Sequence, residues 1–178
     1  MIVGNKISLN AVERKDLEQL RNWRNNINFR KYFREFKEIS DYEQEKWFDD
    51  KIKKDDKTIM FSIRDLKNNV LIGCCGLVYI NWKDRHADLS LYIGKNDLYI
   101  DDNGLAEESC KLLLDYAFSD IGLNKVWTEI YEFDQKKYNL FEKIGFSQDG
   151  ILRQNYWFEG KWWNSIILSF LNKDYTNK

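Results

Sequence analysis

The spacing of apolar residues in the first half of the chain predicts two helices and several strands. Helical intervals appear over residues 15–25 and 41–53, and Ser40 is the expected capping residue of the second helix. Between these helices, residues 26–39 mix aromatic side chains and arginines too irregularly for a secondary-structure prediction, as in loops that carry specificity. Strand signals cover four segments, residues 7–9, 58–65, 70–80 and 87–93.

The second half of the chain predicts alternating strands and helices followed by a hairpin. A helix is expected from residue 105 to about residue 121, then a strand over 125–133 and a helix over 135–144. Two long strands joined at Glu159-Gly160 complete the pattern. Because no linker or repeat interrupts it, we expect residues 1–178 to form a single domain of the α+β or mixed α/β class.

Residues 99–118 place a polar loop with one glycine directly before a helix. Aspartate and asparagine side chains accept hydrogen bonds from the first N–H groups of a helix, so Asp102 or Asn103 can cap it. The N–H groups from Gly104 onward can also hold an anionic ligand such as a pyrophosphate. Both interpretations stay open for this loop, and they are compatible with each other.

The composition argues against several classes of function. Hydrophobic residues make up 43% of the 178 residues, as in globular domains, and the 16% of aromatic residues suggests a pocket or interface lined with rings. The net charge of −1 argues against a large nucleic-acid surface, which needs an excess of basic residues. No stretch of apolar residues is long enough to predict a membrane span or a signal peptide.

The cysteine and histidine residues predict neither disulfides nor a metal centre. Cys74, Cys75 and Cys110 have the spacing of neither a structural disulfide nor a zinc site, so we expect buried thiols and a reducing, cytoplasmic compartment. His86 is the only histidine and has no neighbouring metal ligand, so we expect no metal. A GxSxG elbow and a P-loop lysine are also missing, which argues against common hydrolases.

Four segments carry a resemblance to one family. Residues 20–33 read LRNWRNNINFRKYF, residues 140–146 read LFEKIGF, and residues 149–171 contain EGKWWN before the last strand. With the loop at residues 101–106, these segments follow the order of motifs in the GNAT N-acetyltransferases. The chain resembles that superfamily, in particular the branch of ribosomal-protein N-terminal acetyltransferases and amino-sugar acetyltransferases.

The resemblance implies a GNAT-like fold, with a central mixed sheet of about seven strands flanked by about four helices. It also implies acetyl-CoA as co-substrate, no metal, and direct attack of a primary amine in a ternary complex. The expected acetyl-CoA contacts are backbone groups of one strand, the loop before the long helix, and side chains at the last helix, with Lys137 near the adenosine. They are Leu91, Tyr92, Ile93, Asp101, Asp102, Asn103, Gly104, Leu105, Ala106, Asp134, Lys137 and Phe141.

Four positions depart from the pattern of the family. Asp101 replaces the usual Gln or Arg, and Asp102 adds a second negative charge beside the expected phosphates. Asp134 lies where the family has Asn. Phe141 lies where the family often has a tyrosine that protonates the departing thiolate, and a phenyl ring has no proton to donate.

Acetylation of an amine requires a base, because a lysine-like ammonium has a pKa of about 10.4. Glu129, in the middle of a predicted strand, is the first candidate, and Asp88 and His86 are second choices. A merely solvent-exposed carboxylate is the alternative for Glu129. Tyr138, one helical turn before Phe141, is the candidate acid, with a packed core ring as the alternative.

Arginines and aromatic residues are expected to form the acceptor pocket. This combination suits an amino sugar, including a nucleotide-linked one, because rings stack on bases and guanidinium groups bind phosphates. A peptide N-terminus is the alternative acceptor, whereas the basic character of the region argues against a polyamine. The expected pocket residues are Trp23, Arg24, Phe29, Arg30, Phe33 and Trp157.

Two interpretations from other functional classes remain open. The departures at Asp101 and Phe141 suit a non-catalytic sensor that binds acyl-CoA, and the many rings suit a single-stranded nucleic-acid binder, which the net charge disfavours. We therefore expect a small-molecule amine or a peptide N-terminus as partner, no nucleic acid and no membrane. The aromatic residues also suit packing between the subunits of a homodimer.

Overall fold

Within residues 1–175, eight strands form one mixed sheet, and five α-helices flank it. The computed structural model describes residues 1–175. In sheet order, the strands are β1 (Ile2–Val3), β2 (Ile7–Ala11), β3 (Ile59–Asp65), β4 (Leu71–Asn81), β5 (His86–Ile93), β6 (Lys125–Tyr131), β8 (Lys161–Leu171) and β7 (Ser147–Phe158). The helices are α1 (Leu17–Asn25), α2 (Ile27–Arg30), α3 (Asp41–Trp47), α4 (Leu105–Asp115) and α5 (Gln135–Ile144).

The architecture confirms the expected mixed α/β class and adds two short elements. Strand β1 contains only two residues and pairs with β2 at the edge of the sheet. Helix α2 is a single turn within the segment that had no prediction, and the Asn26 side chain caps it by accepting from the backbone N–H of Asn28. Neither element has enough residues for a recognisable hydrophobic period.

Helix boundaries follow short-range signals in the sequence. Ser40 and Glu43 form a reciprocal capping box at the start of α3, and Gly145 ends α5 with a φ of +112°. The predicted extensions of two helices are π turns, Phe48–Ile52 after α3 and Tyr116–Asp120 after α4. The sequence therefore locates these helices correctly, while the last turns widen.

Helix α4 packs on β2, β4 and β5 and completes much of the core. It buries Ala106, Cys110 and Leu113, each 1% exposed or less. Cys74 and Cys75 are also buried, and all three thiols are free, which confirms the prediction of small buried side chains. Burial raises the pKa of the Cys74 thiol to about 12, so this thiol is not a reactive thiolate.

The parallel pair β5–β6 is the feature that positions the site. All other neighbouring strands in the sheet are antiparallel. Between β5 and β6 lies the crossover containing α4, as a parallel pair requires. Only His86 to Asp88 pair with Lys125 to Trp127, and beyond that point no ladder joins the two strands in the described part of the chain.

Gly94, directly after β5, lies against the indole ring of Trp23, and a Cβ atom at residue 94 would overlap that ring. Because Trp23 is buried and contacts Tyr92 edge-on, the ring has little room to move. We expect Gly94→Ala to lower the free energy of unfolding in urea by about 1–3 kcal/mol through overpacking. Gly150→Ala is the matched control, since the space around Gly150 is open. Equal effects of both substitutions would contradict this packing.

Candidate active site

The separation of β5 and β6 leaves a gap whose edges are partly closed by other groups. The Thr128 hydroxyl donates to the carbonyl of Leu89 at 3.3 Å, and the N–H of Ile93 donates to the carbonyl of Tyr99 at 2.9 Å. Backbone groups alternate in direction along an antiparallel ladder, so those of Leu91 also face β6. Leu91 therefore presents its backbone to the gap between these two closures.

The three residues predicted for the pantetheine arm thus differ in position. Leu91 faces the gap with its backbone. Tyr92 pairs with Cys74 of β4, so its backbone faces away from the gap, and its ring contacts Phe33 at 5.3 Å. The N–H of Ile93 is bonded to Tyr99. The alternation of the strand, which the sequence shows, is the signal that separates these residues.

A cavity of about 900 Å³ lies beside the gap. Its walls come from the segment after α2, the connection before β3, the strands β4, β5 and β6, and the start of α5. Acidic and basic residues are equally represented in the lining, which corrects the expectation of a basic region. The charged lining residues are Arg24, Arg34, Glu35, Lys51, Asp55, Asp56, Lys57, Asp88, Glu129 and Lys137.

Arg34 binds the two carboxylates at the divergence of β5 and β6. Its Nη1 donates to Asp88 Oδ2 at 2.6 Å, and its Nε donates to Glu129 Oε2 at 3.1 Å. Glu129 Oε1 also accepts from the amide of Asn155 at 2.9 Å. Glu129, the predicted base, therefore lies in the cavity with Asp88. Both carboxylates accept hydrogen bonds from Arg34, a residue to which the sequence analysis assigned no role.

Burial controls the ionisation of this trio. Desolvation raises the pKa of the Asp88 carboxyl, although Arg34 opposes that rise. Desolvation also disfavours the charged guanidinium, but the pKa of Arg34 is raised above its ordinary value because Asp88 and Glu129 lie against it. Arg34 thus keeps its proton and its positive charge, and the pKa of the Asp88 carboxyl is shifted upward.

Lys137 is buried at the cavity wall, which corrects its predicted place at the adenosine end. Its ammonium donates to the Tyr99 hydroxyl at 3.1 Å. The Asp134 carboxylate caps α5 by accepting from the N–H of Lys137 at 3.1 Å. Burial lowers the pKa of Lys137 and raises that of Asp134, and each opposes the shift of the other. Lys136, one residue earlier, is exposed.

The glycine loop before α4 is capped by Asp101 rather than by Asp102 or Asn103, which are exposed. The Asp101 carboxylate accepts from the N–H groups of Asn103 and Leu105 at 2.9 Å and of Ala106 at 2.7 Å. Gly104 permits this return of the chain with a φ of +85°. The N–H groups of Leu105 and Ala106, which were predicted to meet a pyrophosphate, therefore already donate to a carboxylate.

Cations lie close to this anion-capped loop. Lys6 Nζ donates to the carbonyl of Asn103 at 2.8 Å, and Lys136 lies 3.5 Å from the Asp102 carboxylate. These lysines offset the two aspartates, and Glu107 and Glu108 add negative charge in the first turn of α4. A phosphate would therefore meet two cationic side chains beside carboxylates, and Asp101 competes with it for the amides of Leu105 and Ala106.

The structure does not bring the predicted acid into the cavity. Tyr138 packs against the hydrophobic core and does not line the cavity wall. Phe141 is fully buried, with its ring 4.7 Å from that of Phe146. Among the described residues, the cavity contains other phenols, including Tyr131, which stacks on Tyr156 at 3.8 Å. The helical spacing placed Tyr138 correctly on α5 but could not show what packs against it.

Of the six residues predicted for the acceptor pocket, Arg24 and Phe33 line the cavity, with the guanidinium 4.8 Å above the ring. Trp23 and Phe29 are core residues, because the inner faces of α1 and α2 bury them. The remaining two lie elsewhere. They are Arg30, which is 3.7 Å from Glu38, and Trp157, which is 55% exposed and packs on Trp162.

Residues 1–175 contain neither a membrane-spanning helix nor a cluster of metal ligands. No helix among them is both long and apolar enough to cross a membrane. No group of three or more His, Cys, Asp or Glu side chains among them is arranged to hold a metal ion.

The buried ammonium of Lys137 gives a prediction for stability as a function of pH. Above the pKa of folded Lys137, the unfolded chain retains a proton that the folded chain has lost, so stability rises with pH up to about 10.5. The unfolding free energy of wild type minus that of Lys137→Met should therefore increase between pH 7 and 10, by about 1.4 kcal/mol per unit of pKa lowering within that range. Lys136→Met is the exposed control, and a flat difference for Lys137→Met would contradict the prediction.

Comparison with known proteins identifies the family. Residues 6–147 match the model of the acetyltransferase (GNAT) domain. Spermidine N(1)-acetyltransferase from Vibrio cholerae is 27% identical over 176 residues, covering 99% of each chain, and that from Escherichia coli K12 is 26% identical over 177 residues, covering 97% of this chain and 89% of the relative.

A solved structure agrees with these sequence matches. The Vibrio cholerae spermidine N-acetyltransferase in complex with CoA and spermine has a TM-score of 0.88 and 28% identity, covering 98% of this chain and all of that one. These three relatives are named for spermidine and not for a ribosomal protein or an amino sugar. The chain therefore belongs to the GNAT acetyltransferase family, which confirms the predicted fold and enzyme class, an acetyl-CoA-dependent N-acetyltransferase.

Proposed function

We propose that this enzyme acetylates a primary amine of a cationic acceptor of the polyamine class. The observation that carries the proposal is the pair Asp88 and Glu129, which meet in the cavity beside the split of β5 and β6. Two carboxylates suit an acceptor with several ammonium groups, because an ion pair is stronger where water is partly excluded. The names of the spermidine acetyltransferases support the same class.

Acetyl-CoA fits this chain at the gap beside Leu91, but less well at the amides of α4. Leu91 would bind the pantetheine amides through its backbone, and Lys6 and Lys136 would attract the phosphates. Asp101 would have to release the N–H groups of Leu105 and Ala106 for a phosphate to reach them. When bound, acetyl-CoA supplies the acetyl group as a thioester.

The residues of the chain would supply the proton acceptor. An acceptor ammonium with a pKa of about 10.4 must lose a proton before its nitrogen can attack. Asp88 becomes a better candidate base than Glu129, because burial raises its pKa toward the working range. No protein acid is assigned to the leaving thiolate, since a thiol of pKa about 8.5 leaves without much assistance and Tyr138 lies outside the cavity.

An amino-sugar acceptor remains the second candidate. Arg24 and Phe33 lie together in the cavity, and a guanidinium beside a ring suits a sugar carrying phosphate and a base. Against this candidate, the cavity also contains acidic residues that would repel phosphates, including Glu35, Asp55 and Asp56. A protein N-terminus and a non-catalytic acyl-CoA sensor are the remaining alternatives.

The direct test is release of free thiol from acetyl-CoA with a panel of acceptors at equal concentration. We expect kcat/KM for spermidine and spermine to exceed that for a UDP-linked amino sugar and for a short peptide by tenfold or more. A higher value for the amino sugar would reverse the order of the two candidates. If calorimetry shows that CoA binds but no amine in the panel causes thiol release from acetyl-CoA, the non-catalytic sensor is favoured.

Asp101 gives a second prediction, which requires no turnover. Replacing Asp101 with Gln removes a charge beside the phosphates and frees amides of α4, so we expect the Kd of CoA measured by calorimetry to fall by about tenfold. Asp102→Asn removes the same charge from the same loop but frees no amide, and should change the Kd by less than threefold. Weaker CoA binding by Asp101→Gln would mean that the loop needs this carboxylate.

A further inference from the structure

The guanidinium of Arg34 occupies a site that has the properties of a cation receptor. Asp88 and Glu129 provide its two carboxylates, and both belong to strands of the sheet. The Arg34 Cζ atom lies 5.6 Å from the ring centroid of Tyr79 and 5.9 Å from that of Trp127. Two carboxylates and two aromatic faces around one charge form the kind of cage that binds ammonium and guanidinium groups.

The receptor and its occupant come from different parts of the structure. Asp88, Glu129 and Trp127 are fixed by the ladders of β5 and β6, and Tyr79 lies on β4. Arg34 comes from the irregular segment between α2 and α3. Among residues 1–175, the hydrogen bonds of its guanidinium go only to Asp88 and Glu129. The cage is therefore built on strands of the sheet, whereas its cation is carried by a loop.

Apart from the ion pairs of Arg34 itself, hydrogen bonds to backbone carbonyls anchor the loop on both sides of this residue. The Tyr156 hydroxyl donates to the carbonyl of Lys31 at 3.2 Å, and the Asn25 amide donates to the carbonyl of Ile39 at 2.8 Å. The Arg34 side chain is 41% exposed, whereas that of Asp88 is 4% exposed. Arg34 can thus leave toward solvent without breaking either anchor, but Asp88 cannot leave the cavity.

From this arrangement we infer that Arg34 is a displaceable resident cation, and that the cage formed by Asp88, Glu129, Tyr79 and Trp127 is a subsite for an ammonium or guanidinium group of the acceptor. The inference rests on the proposed function for the identity of the acceptor. An acceptor must then offer a positive charge that replaces the guanidinium. Neutral and anionic amines fail to do so, because they would leave Asp88 buried without a cation.

Arg34 therefore acts as a specificity-determining residue. It competes with every cationic acceptor and so lowers its affinity, and it excludes acceptors that carry no positive charge to replace it. An acceptor with a single ammonium has to provide both the replacement charge and the reacting nitrogen. A diamine or triamine can provide them from different nitrogens. The preference for acceptors with several charges then originates in the competition with Arg34.

The test measures binding of spermidine by calorimetry in the absence of acetyl-CoA, at fixed pH and ionic strength. We expect Arg34→Ala to lower the Kd of spermidine at least tenfold relative to wild type, because the cage is vacated. Arg34→Gln, which removes the charge but can still donate to one carboxylate, keeps the test valid should the alanine variant fold poorly. Arg34→Lys retains a resident cation and should bind spermidine within threefold of wild type.

The double variant Arg34→Ala/Asp88→Asn locates the effect, since it should lose the gain in affinity. Unchanged, weaker or undetectable binding of spermidine by both Arg34→Ala and Arg34→Gln overturns the inference, and would show that Arg34 is a fixed part of the site. A gain that persists in the double variant overturns it as well. This test measures binding and the thiol-release assay measures acetylation, so the two proposals can fail separately. Tight binding of spermidine without its acetylation would refute the proposed function and would leave the cage as a cation site.

Discussion

The candidate site depends on one interruption in the backbone hydrogen bonding of the sheet. Strands β5 and β6 pair through three residues and then separate. Each backbone N–H and C=O beyond the split needs another partner, since unpaired buried groups are costly. The Thr128 hydroxyl and the Tyr99 carbonyl satisfy two of them. If the ladder had continued, the backbone of Leu91 would be paired and the cavity would have no gap beside it.

The split also explains why so many charges lie close together. Asp88 is the last residue of β5 that pairs with β6, and Glu129 lies two residues beyond Trp127, the last residue of β6 that pairs with β5. Both side chains therefore project where these two strands part. Arg34 binds both, and Lys137 of α5 lines the same cavity, with its ammonium on the Tyr99 hydroxyl and its backbone N–H on the Asp134 carboxylate. Burial disfavours each of these charges, and their neighbours of opposite sign offset that cost. A change at one member therefore alters the electrostatic environment of the others.

What the sequence could predict follows from the range of the interactions. The capping box of α3 joins residues three apart, and the alternation of β5 is visible within eight residues, so both were predictable. The cation of the site was not, because Arg34 lies 54 residues from Asp88 and 95 residues from Glu129. Arg30 has the same composition around it and pairs with a local glutamate instead. No local pattern separates two arginines of one irregular segment.

The loop before α4 shows a second limit of local patterns. The position expected for a catalytic acid shows a third. Adjacency to Gly104 favoured Asp102 or Asn103 as the cap, whereas the left-handed turn at that glycine returns the chain so that the earlier Asp101 reaches the amides. A motif position likewise indicated where an acid was missing, but not whether one is needed.

The chemistry makes the missing acid the smaller demand. A thiolate whose thiol has a pKa of about 8.5 is a good leaving group near neutral pH. An ammonium of pKa about 10.4 is almost entirely protonated there, so its nitrogen cannot attack without a base. Phe141 has no proton to donate in any rotamer, and its ring is fully buried beside that of Phe146. The larger demand falls on the base, where the buried Asp88 meets Glu129. In the proposed enzyme, the carboxylate pair recognises one ammonium group of the acceptor, and Asp88 is placed to take the proton of the reacting nitrogen. Recognition and reactivity are then coupled at the split of the sheet.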